Sequence, residues 1–185
     1  MRVIAGALKG RRLVTARGAA TRPTADQVRI ALMDTLMPWL PGARVLDLFA
    51  GAGGVGLEAL SRGAAHATFV ERAPQAVAAL RRNIAALGVE AQARVLAMEA
   101  ARALDGLGGR HERFEVVFLD PPYESDLGPV TVEQVARHHL AAPGGVVIAQ
   151  HFTKRAAVLA ELPDLTAFRA RRFGETTLTF FRARE

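Results

Sequence analysis

Residues 47–56 read Asp-Leu-Phe-Ala-Gly-Ala-Gly-Gly-Val-Gly and continue the apolar run that begins at Arg44. The glycines at positions 51, 53 and 56 spell G-x-G-x-x-G, a pattern typical of a tight turn that leads from a strand into a helix. Glycine lets the backbone of such a turn approach a ligand closely. The stretch therefore predicts the first βα turn of a ligand-binding α/β fold.

From this turn onward, short apolar segments alternate with helical ones. We expect strands at 44–48, 67–71, 94–97, 116–119 and 145–150, and helices near 55–62, 74–87, after 97, 131–139 and 153–161. Apolar strands that alternate with helices are typical of a parallel sheet covered on both faces. Residues 166–173 and 176–182 alternate like hairpin strands around Gly174-Glu175. The pattern predicts a doubly wound, seven-stranded, mostly parallel sheet with a C-terminal antiparallel hairpin, and Gly106–Gly109 as a loop.

The first 40 residues have a different pattern. We interpret residues 1–40 as a small extension and residues 41–185 as the main domain. Residues 2–5 and 11–15 are predicted to form a β-hairpin, followed by a loop at 16–23. Thr24-x-x-Gln27 is a capping-box pattern, which predicts a helix with residues 28, 31, 32, 35 and 36 on its buried face and an end before Pro38.

Length and composition bound the class of protein. The chain has 185 residues, 50% of them hydrophobic, and no Cys, which excludes disulfides and thiolate metal sites. No apolar run reaches the roughly 18 residues that span a bilayer. The N-terminus lacks the apolar stretch of a signal peptide. We therefore expect a cytoplasmic protein without a membrane segment, and we identify no metal site.

The charge of the chain is positive and concentrated at its ends. The net charge is +6, from 24 Lys and Arg against 18 Asp and Glu, which suits a polyanionic partner such as nucleic acid. The basic residues near the ends are Arg2, Lys9, Arg11, Arg12, Arg17, Arg22, Arg29, Arg169, Arg171 and Arg172. Because only two of the 24 are Lys, a genomic bias towards Arg is an alternative source of the excess.

The surroundings of the glycines separate two classes of ligand. In a dinucleotide site the first glycine follows the strand almost at once, and the helix N-terminus faces a pyrophosphate. Here Asp47 stands at the strand end, with three residues before Gly51. A carboxylate would repel a pyrophosphate but suits the ammonium group of S-adenosylmethionine. The loop favours a methyltransferase over a dinucleotide enzyme, and a glycine turn without a ligand is the remaining alternative.

Two more acidic residues follow predicted strands. Glu71 ends the second strand, where a carboxylate can bind both ribose hydroxyls of a nucleoside. Glu99 follows the third strand, where a polar side chain can reach an adenine amino group. The alternatives are an exposed strand-end acid for Glu71 and an acid that stabilises a helix N-terminus for Glu99.

Asp120-Pro121-Pro122-Tyr123 follows the fourth apolar strand. In open α/β sheets, ligands bind at the carboxyl ends of strands where the strand order reverses, so we expect Asp47 and Asp120 to face one crevice. The Asp120 carboxylate and the Pro121 carbonyl can accept both N–H bonds of an exocyclic amine and so orient its lone pair. Asp120 can also take up the proton, and Tyr123 offers a face for base stacking. The alternative is a rigid turn after a strand.

Together these motifs resemble the bacterial 16S rRNA guanine-N2 methyltransferases of the small ribosomal subunit. The resemblance covers nearly the whole chain and is most specific in two segments, Thr21-Arg22-Pro23-Thr24 and residues 56–64, which read Gly-Leu-Glu-Ala-Leu-Ser-Arg-Gly-Ala. The Asp-Pro-Pro-Tyr motif is shared by many amino-methyltransferases. The chain departs from the family pattern at several positions, among them Ala52 for Ser, Ile30 for Glu and Gln150 for a frequent Glu.

The resemblance implies a class I methyltransferase fold, S-adenosylmethionine as methyl donor without a metal, and N2 of one guanine in 16S rRNA as acceptor. It implies an assembled or assembling small subunit as the partner, and we expect a monomer. The candidate catalytic residues are Asp120, Pro121, Pro122 and Tyr123. The candidate cofactor-binding residues are Asp47, Phe49, Ala50, Gly51, Gly53, Glu71, Arg72, Glu99, Ala100 and Asp120. The candidate RNA-binding residues are Arg2, Lys9, Arg11, Arg12, Arg22 and Thr24.

Other functions compete with this one. The same tetrapeptide handles any exocyclic amine, so an adenine-N6 methyltransferase on DNA or RNA is an alternative. A cofactor-binding assembly factor without turnover is another. A nicotinamide-dependent oxidoreductase is disfavoured by Asp47 and the tetrapeptide. For the basic N-terminal arm, the alternative is an edge hairpin kept soluble by its charges.

Overall fold

The computed structural model describes residues 1–15, 23–122, 127–154, 162 and 164–184, and for residues 23–25 only the backbone. In chain order the elements are α1 (Pro23–Leu36), β1 (Arg44–Leu48), α2 (Gly54–Ser61), β2 (His66–Val70), α3 (Pro74–Leu87), β3 (Ala93–Leu96), α4 (Ala100–Gly109), β4 (Phe114–Leu119), α5 (Leu127–Arg137), β5 (Ala141–Phe152), β6 (Leu165–Phe173) and β7 (Thr176–Ala183).

These strands form one sheet in the order β3-β2-β1-β4-β5-β7-β6. The first five strands in that order pair in parallel, and β7 pairs antiparallel with both β5 and β6. The predicted seven-stranded sheet with its C-terminal antiparallel hairpin is therefore confirmed. The strand order reverses between β1 and β4, so a crevice opens where these two strands end.

Alternate residues of the strands are buried on opposite faces, as expected for a sheet covered on both sides. On one face, Val45 and Phe118 pack in the same core as residues of α1, α2 and α3. On the other face, Leu46 and Leu119 pack with residues of α4 and α5. The sheet is therefore doubly wound.

The N-terminal hairpin differs from its prediction. Residues 2–5 and 11–15 pair antiparallel only around one bridge, between Arg2 and Arg12, where the Val3 N–H donates to the Arg11 carbonyl and the Leu13 N–H to the Met1 carbonyl, both at 3.0 Å. The reason lies in α2, whose Glu58 carboxylate accepts the N–H groups of Ile4 and Ala5 at 2.7 and 2.9 Å. These donors serve the attachment to α2 instead of a strand ladder. We call residues 1–15 the N-terminal arm.

The N-terminal arm packs on the main fold. Val3 and Leu13 are buried in the same core as Val45 and Leu57. Asn83 of α3 is fully buried, and it both accepts from the Val14 N–H and donates to the Val14 carbonyl, at 2.7 and 2.9 Å. The boundary near residue 40 stays a prediction.

Helix α1 begins at Pro23, so Thr24 lies inside the first turn instead of at the predicted cap position. Proline is favoured at the first helical position, since its missing N–H would have had no partner in the helix. The predicted buried face is confirmed, with Val28, Ala31, Leu32, Thr35 and Leu36 all at most 9% exposed. Of the predicted loop at residues 16–23, residues 16–22 lie outside the described residues, and Pro23 belongs to α1.

The prediction of a loop at Gly106–Gly109 is wrong, because α4 continues to Gly109. Leu104 and Leu107 are both fully buried against the sheet. Each glycine costs about 1 kcal/mol in a helix, but burial of one leucine side chain offsets about 1.5–3 kcal/mol. The predicted helix near 131–139 begins earlier, at Leu127, and ends at Arg137. The predicted helix near 153–161 falls mostly on residues 155–161, which lie outside the described part of the chain.

Candidate functional site

A cavity of about 270 Å³ opens at the carboxyl ends of the central strands. Its lining comes from the ends of β1, β2, β3 and β4, at the place where the strand order reverses. The lining residues are Phe49, Val70, Glu71, Arg72, Met98, Glu99, Ala100, Asp120, Pro121 and Pro122. Eight of these ten were predicted as site residues from the sequence.

The turn after β1 places Phe49 against the cavity. Phe49 has a φ of 61°, a left-handed conformation that is uncommon for a bulky side chain. The Ala50 N–H donates to the Val70 carbonyl at 3.0 Å, and the Gly51 N–H donates to Oε2 of Glu71 at 2.9 Å. Since strained backbone persists only where its surroundings fix it, these two bonds to β2 hold Phe49 in place.

The glycine pattern is explained by close packing. Gly53 precedes α2 with a φ of 85°, and a Cβ on it would lie 2.4 Å from a methyl carbon of Leu80. A Cβ on Gly56 would lie 2.3 Å from the ring of Phe69. The glycines therefore let the start of α2 pack closely against α3 and β2. Gly51 and Gly53 do not line the cavity themselves.

Asp47 is buried, with 1% exposure, and its Oδ2 accepts the Gly56 N–H at 2.9 Å. Burial raises the pKa of Asp47 to about 7, opposed by the hydrogen bond from Gly56 and reinforced by the charges of Asp120 and Glu71. Asp47 is not among the residues that line the cavity. Its contact with the start of α2 is structural, and its predicted contact with a cofactor ammonium stays a prediction.

Asp120 follows β4 and lines the cavity. Burial raises the pKa of Asp120 to about 7, and a side-chain hydrogen bond from Gln150 at the end of β5 acts in the opposite direction. The Asp120 N–H points to the carbonyl of Leu48 at 3.4 Å, which ties the ends of β4 and β1 together. A carboxyl group with a pKa near neutrality can both accept hydrogen bonds and exchange a proton.

The Glu71 carboxylate binds backbone N–H groups of two separate segments, at Gly51 and Ala73. Its Oε2 accepts from the Gly51 N–H, and its Oε1 accepts from the Ala73 N–H at 2.8 Å. Glu71 is therefore more than an exposed strand-end acid, because it joins β2 to the glycine turn. Its oxygens keep further lone pairs for a ligand hydroxyl.

Glu99 and Arg72 meet at the rim of the cavity. Their side chains form an ion pair of 2.8 Å, and each is 63% exposed. Glu99 occupies the N-cap position of α4, but its side chain makes no capping hydrogen bond. The carboxylate is directed to Arg72 instead of the helix N–H groups, which disfavours the purely helix-capping interpretation.

The charge at this site disfavours phosphate. The carboxylates of Asp47, Glu71 and Asp120 are close enough for the charges of the other two to raise the pKa of Asp47. Arg72 is the one basic residue in the lining, and its charge is paired with Glu99. A cavity of this charge suits a ligand that carries positive charge and hydroxyl groups, which are features of S-adenosylmethionine.

Three contributors to the site were not predicted as site residues. Val70 and Met98 line the cavity, and Gln150 binds Asp120. Val70 and Met98 each precede a predicted glutamate in the sequence, so their neighbours carried a signal. Gln150 contacts Asp120 across two paired strands, and no local pattern indicates that contact.

Other predicted residues lie away from the cavity or outside the described chain. Tyr123 and Arg22 lie outside the described residues, and of Thr24 only the backbone is described. Arg2, Lys9, Arg11 and Arg12 are exposed on the N-terminal arm, and Arg11 donates to the carbonyl of Ala86. Within the described chain, none of these four side chains forms an ion pair.

Neither a membrane-spanning helix nor a metal-binding cluster occurs among the described residues. None of the helices in that part of the chain is long and apolar enough to cross a membrane. No group of three or more His, Asp and Glu side chains within it is arranged to hold a metal ion.

Known proteins are similar to this chain over most or all of its length. A model of the family described as "Conserved hypothetical protein 95" matches residues 1–182. The Bacillus subtilis protein named "Putative rRNA methyltransferase YlbH" is 36% identical over 188 aligned residues, with 100% of both chains covered. The Haemophilus influenzae "Ribosomal RNA small subunit methyltransferase D" is 31% identical over 147 residues, covering 80% of this chain and 76% of that protein.

Solved structures of methyltransferases superpose on this chain. The Escherichia coli "Putative methyltransferase yhhF" superposes with a TM-score of 0.88 at 30% identity, covering 100% of this chain and 98% of that one. A Thermus thermophilus 16S rRNA N2 G1207 methyltransferase, in complex with AdoMet and guanosine, superposes with a TM-score of 0.74 at 25% identity. That match covers 91% of this chain but only 45% of the other, so this chain spans less than half of that protein.

Proposed function

This chain belongs to the family described as Conserved hypothetical protein 95, and on that premise we propose that it transfers a methyl group from S-adenosylmethionine to the exocyclic N2 of a guanine in 16S rRNA. The observation that carries the proposal is Asp120, which lies in the wall of the cavity with Pro121 and Pro122 directly after it. The two relatives named as rRNA methyltransferases support rRNA as the substrate.

The described residues fit S-adenosylmethionine. Phe49 and Met98 give the cavity apolar surface for a base, and the carboxylates of Glu71 and Glu99 can accept hydrogen bonds from hydroxyl and amino groups. The nearby negative charge suits a sulfonium and an ammonium group. When bound, the cofactor supplies an electrophilic methyl group.

Asp120 and Pro121 act on the acceptor amine. The Asp120 carboxylate and the Pro121 carbonyl each accept one N–H bond, which directs the nitrogen lone pair away from both. Such positioning contributes several kcal/mol to a bimolecular reaction. After transfer the nitrogen carries one proton too many, and Asp120 can accept it because its pKa lies near 7. Proline supplies no backbone N–H, so residues 121 and 122 offer the amine no competing donor.

Guanine as the base rests on the relatives. The T. thermophilus enzyme with AdoMet and guanosine is an N2 methyltransferase of 16S rRNA, and its fold matches 91% of this chain. Guanine N2 lies in the minor groove of a paired helix, so the target is reached most easily when unpaired or flipped out.

We propose an assembled or assembling small subunit as the partner, a monomeric enzyme, and the cytoplasm as the place of action. We propose that Arg2, Lys9, Arg11 and Arg12 contact RNA phosphates.

One experiment separates this function from its alternatives. Methyl-labelled cofactor is incubated with the protein and, in parallel, with small subunits that lack the modification, naked 16S rRNA and DNA. The nucleic acid is then digested and the labelled nucleoside identified. We expect N2-methylguanosine from the subunit or the rRNA. N6-methyladenosine, or label in DNA alone, would show an adenine enzyme, and no label in any substrate would favour an assembly factor.

The pH dependence of the reaction should report on Asp120. Because its pKa is raised to about 7, the single-turnover rate should rise about tenfold per pH unit below 7 and level off above it. The protonated carboxyl cannot accept the amine proton, which sets the sign of the effect. Gln150→Leu removes a donor to the carboxylate and should move this rise to higher pH. The exposed Gln92→Leu serves as the control, and an unchanged profile in Gln150→Leu would contradict the assigned contact.

Cofactor binding should depend more on Glu71 than on Glu99. Glu71→Ala leaves the N–H groups of Gly51 and Ala73 without their acceptor and loosens the turn at Phe49. We expect the cofactor Kd, measured by calorimetry, to rise about tenfold or more, since each charge-assisted hydrogen bond contributes about 1.5–3 kcal/mol. Glu99→Ala removes an exposed partner of Arg72 and should raise Kd only about two- to threefold. Equal effects of the two variants would show that Glu71 does not organise the site.

A further inference from the structure

Strand β6 carries an unusual set of side chains for an exposed edge strand. Its sequence is Leu-Thr-Ala-Phe-Arg-Ala-Arg-Arg-Phe, and residues 166–170 and 172 are exposed. Neither β6 nor its neighbour β7 contains an acidic residue. Basic residues on an edge strand are often explained by their role in preventing edge-to-edge aggregation. That explanation does not account for the aromatic residues that lie among the arginines of β6.

A β-bulge sets the position of Phe168. Ala167 pairs with Phe181 and Arg169 with Phe180, so Phe168 is the extra residue between two paired positions. Bulges of this kind redirect a side chain. The Phe168 ring lies 6.2 Å from the rings of both Trp39 and Phe180, and Phe168 remains 43% exposed.

Arg182 of β7 lies over the rings of the half-buried Trp39 and the exposed Phe168. Its guanidinium carbon lies 5.4 Å from the Trp39 ring centre and 5.2 Å from that of Phe168. Trp39 is fixed by a hydrogen bond from Nε1 to the carbonyl of Gly144 at 3.1 Å. A cation held over aromatic rings within about 6 Å forms a favourable contact, so Arg182 has these two rings as partners and no ion pair among the described residues.

Arg169 and Arg171 lie on the same side of the sheet as this cluster. They pair with Phe180 and Leu178, which belong to the core on the α1 side. Arg171 also donates to the carbonyl of Ala31 in α1 at 3.3 Å. Among the described residues, no ion pair involves Arg169, Arg171 or Arg182. Together Trp39, Phe168, Arg169, Arg171 and Arg182 form a surface that we call the β6 patch.

We propose that the β6 patch binds a single-stranded segment of the RNA substrate, with a base against Phe168 and phosphates at Arg169 and Arg182. The proposal rests on the proposed function, since it takes RNA as the substrate. An exposed aromatic ring, that of Phe168, next to arginines without an ion pair among the described residues is a combination that suits single-stranded nucleic acid. Protein interfaces are enriched in the same aromatic residues and in arginine, but the lack of any acidic residue in β6 and β7 favours a polyanion over a protein surface.

The β6 patch extends along the strands towards the end of the sheet at which the cavity lies. Arg182 of β7 pairs with Val146 of β5. Arg171 of β6 pairs with Leu178 of β7, which in turn pairs with Gln150 of β5. Val146 and Gln150 lie four residues of β5 apart, or roughly 13 Å at 3.3 Å per residue. Gln150 binds Asp120, so a strand held along β6 runs from the far end of the sheet to the level of the acceptor site.

The test measures binding of RNA separately from methyl transfer. An unmodified 16S rRNA fragment is titrated with the full-length protein at several salt concentrations. In the double variant Arg169→Gln, Arg182→Gln we expect about tenfold weaker binding and a salt slope smaller by about 1 or more. Phe168→Leu should weaken binding about fivefold by removing a stacking face. The Tm of every variant is first compared with that of wild type. We expect little change, because the altered side chains are exposed.

The matched control is the double variant Arg102→Gln, Arg137→Gln, which removes the same charge from exposed positions on α4 and α5. It should change affinity less than twofold. Equal losses in both double variants would overturn the proposal, because only net charge would then matter. Unchanged affinity for rRNA with weaker binding to whole subunits would overturn it too, by assigning the patch to a ribosomal protein. If the wild type methylates no RNA, the proposed function fails, while the binding comparison still decides the patch.

Discussion

Replacing Asp120 with alanine should reduce the rate of methyl transfer by about a thousandfold while leaving the cofactor Kd within about threefold of wild type. The variant loses both the acceptor that orients the amine and the group that takes its proton, and proton transfer by a positioned side chain contributes a factor of about 10²–10⁴ by itself. Glu71, Glu99 and the turn at Phe49 keep their contacts, so the cofactor should still bind. The rate is measured in single turnovers on unmodified small subunits, and Kd by calorimetry.

Asp120→Asn separates the two roles of the carboxylate. Asparagine keeps an oxygen that accepts an N–H bond but cannot take up the proton at neutral pH. A rate between those of alanine and wild type, without the rise towards pH 7, would assign proton transfer to Asp120. Asp105→Ala is the control, because its carboxylate is 68% exposed and pairs with His138 away from the cavity. A wild-type rate in Asp120→Ala would show that the catalytic assignment is wrong.

Local patterns predicted the main domain well. Alternation of apolar strands with helices predicted the five parallel strands, because each βα unit contains its own periodicity and turn residues. The two strands of the C-terminal hairpin were predicted from the residue alternation on either side of Gly174-Glu175. Proline at 74 and glycine at 88 bound α3 as its pattern indicates, with Gly88 at a φ of 71°. Site residues that end a strand, such as Glu71 and Asp120, were predictable for the same reason, since the carboxyl ends of parallel strands meet at one edge.

The errors arise where a distant residue decides the local structure. Gly106–Gly109 has a loop composition, but burial of Leu107 against β4 and α5 keeps it helical. Residues 2–5 have a strand pattern, but Glu58, more than fifty positions away, takes their donors. The contact between Gln150 and Asp120 depends on the register of β4 and β5. Such pairings are set by tertiary packing, so a periodicity within one segment cannot indicate them.

Glu58 is the residue whose removal should cost most stability. It is 1% exposed, and its two oxygens accept from the N–H groups of Ile4 and Ala5 and from Nε of Arg62, the last at 2.9 Å. Arg62 is itself only 8% exposed. Glu58→Ala therefore leaves Nε of Arg62 and two backbone donors without their acceptor, and the ion pair that Arg62 keeps is a 3.4 Å contact with the exposed Asp34. Breaking a buried pair in this way costs about 3–5 kcal/mol.

For a chain of this length, that loss corresponds to a decrease in Tm of about 10 °C, measurable by calorimetry. Glu133→Ala breaks an exposed pair with Arg137 and should shift Tm by no more than about 2 °C. Glu58→Gln keeps one acceptor oxygen and should lie between the two. Because the N-terminal arm is attached to α2 through Glu58, Glu58→Ala should also weaken rRNA binding in conditions where the protein remains folded. A Tm for Glu58→Ala equal to that of Glu133→Ala would show that the arm is held by its other contacts, among them those of Asn83 and Ser61.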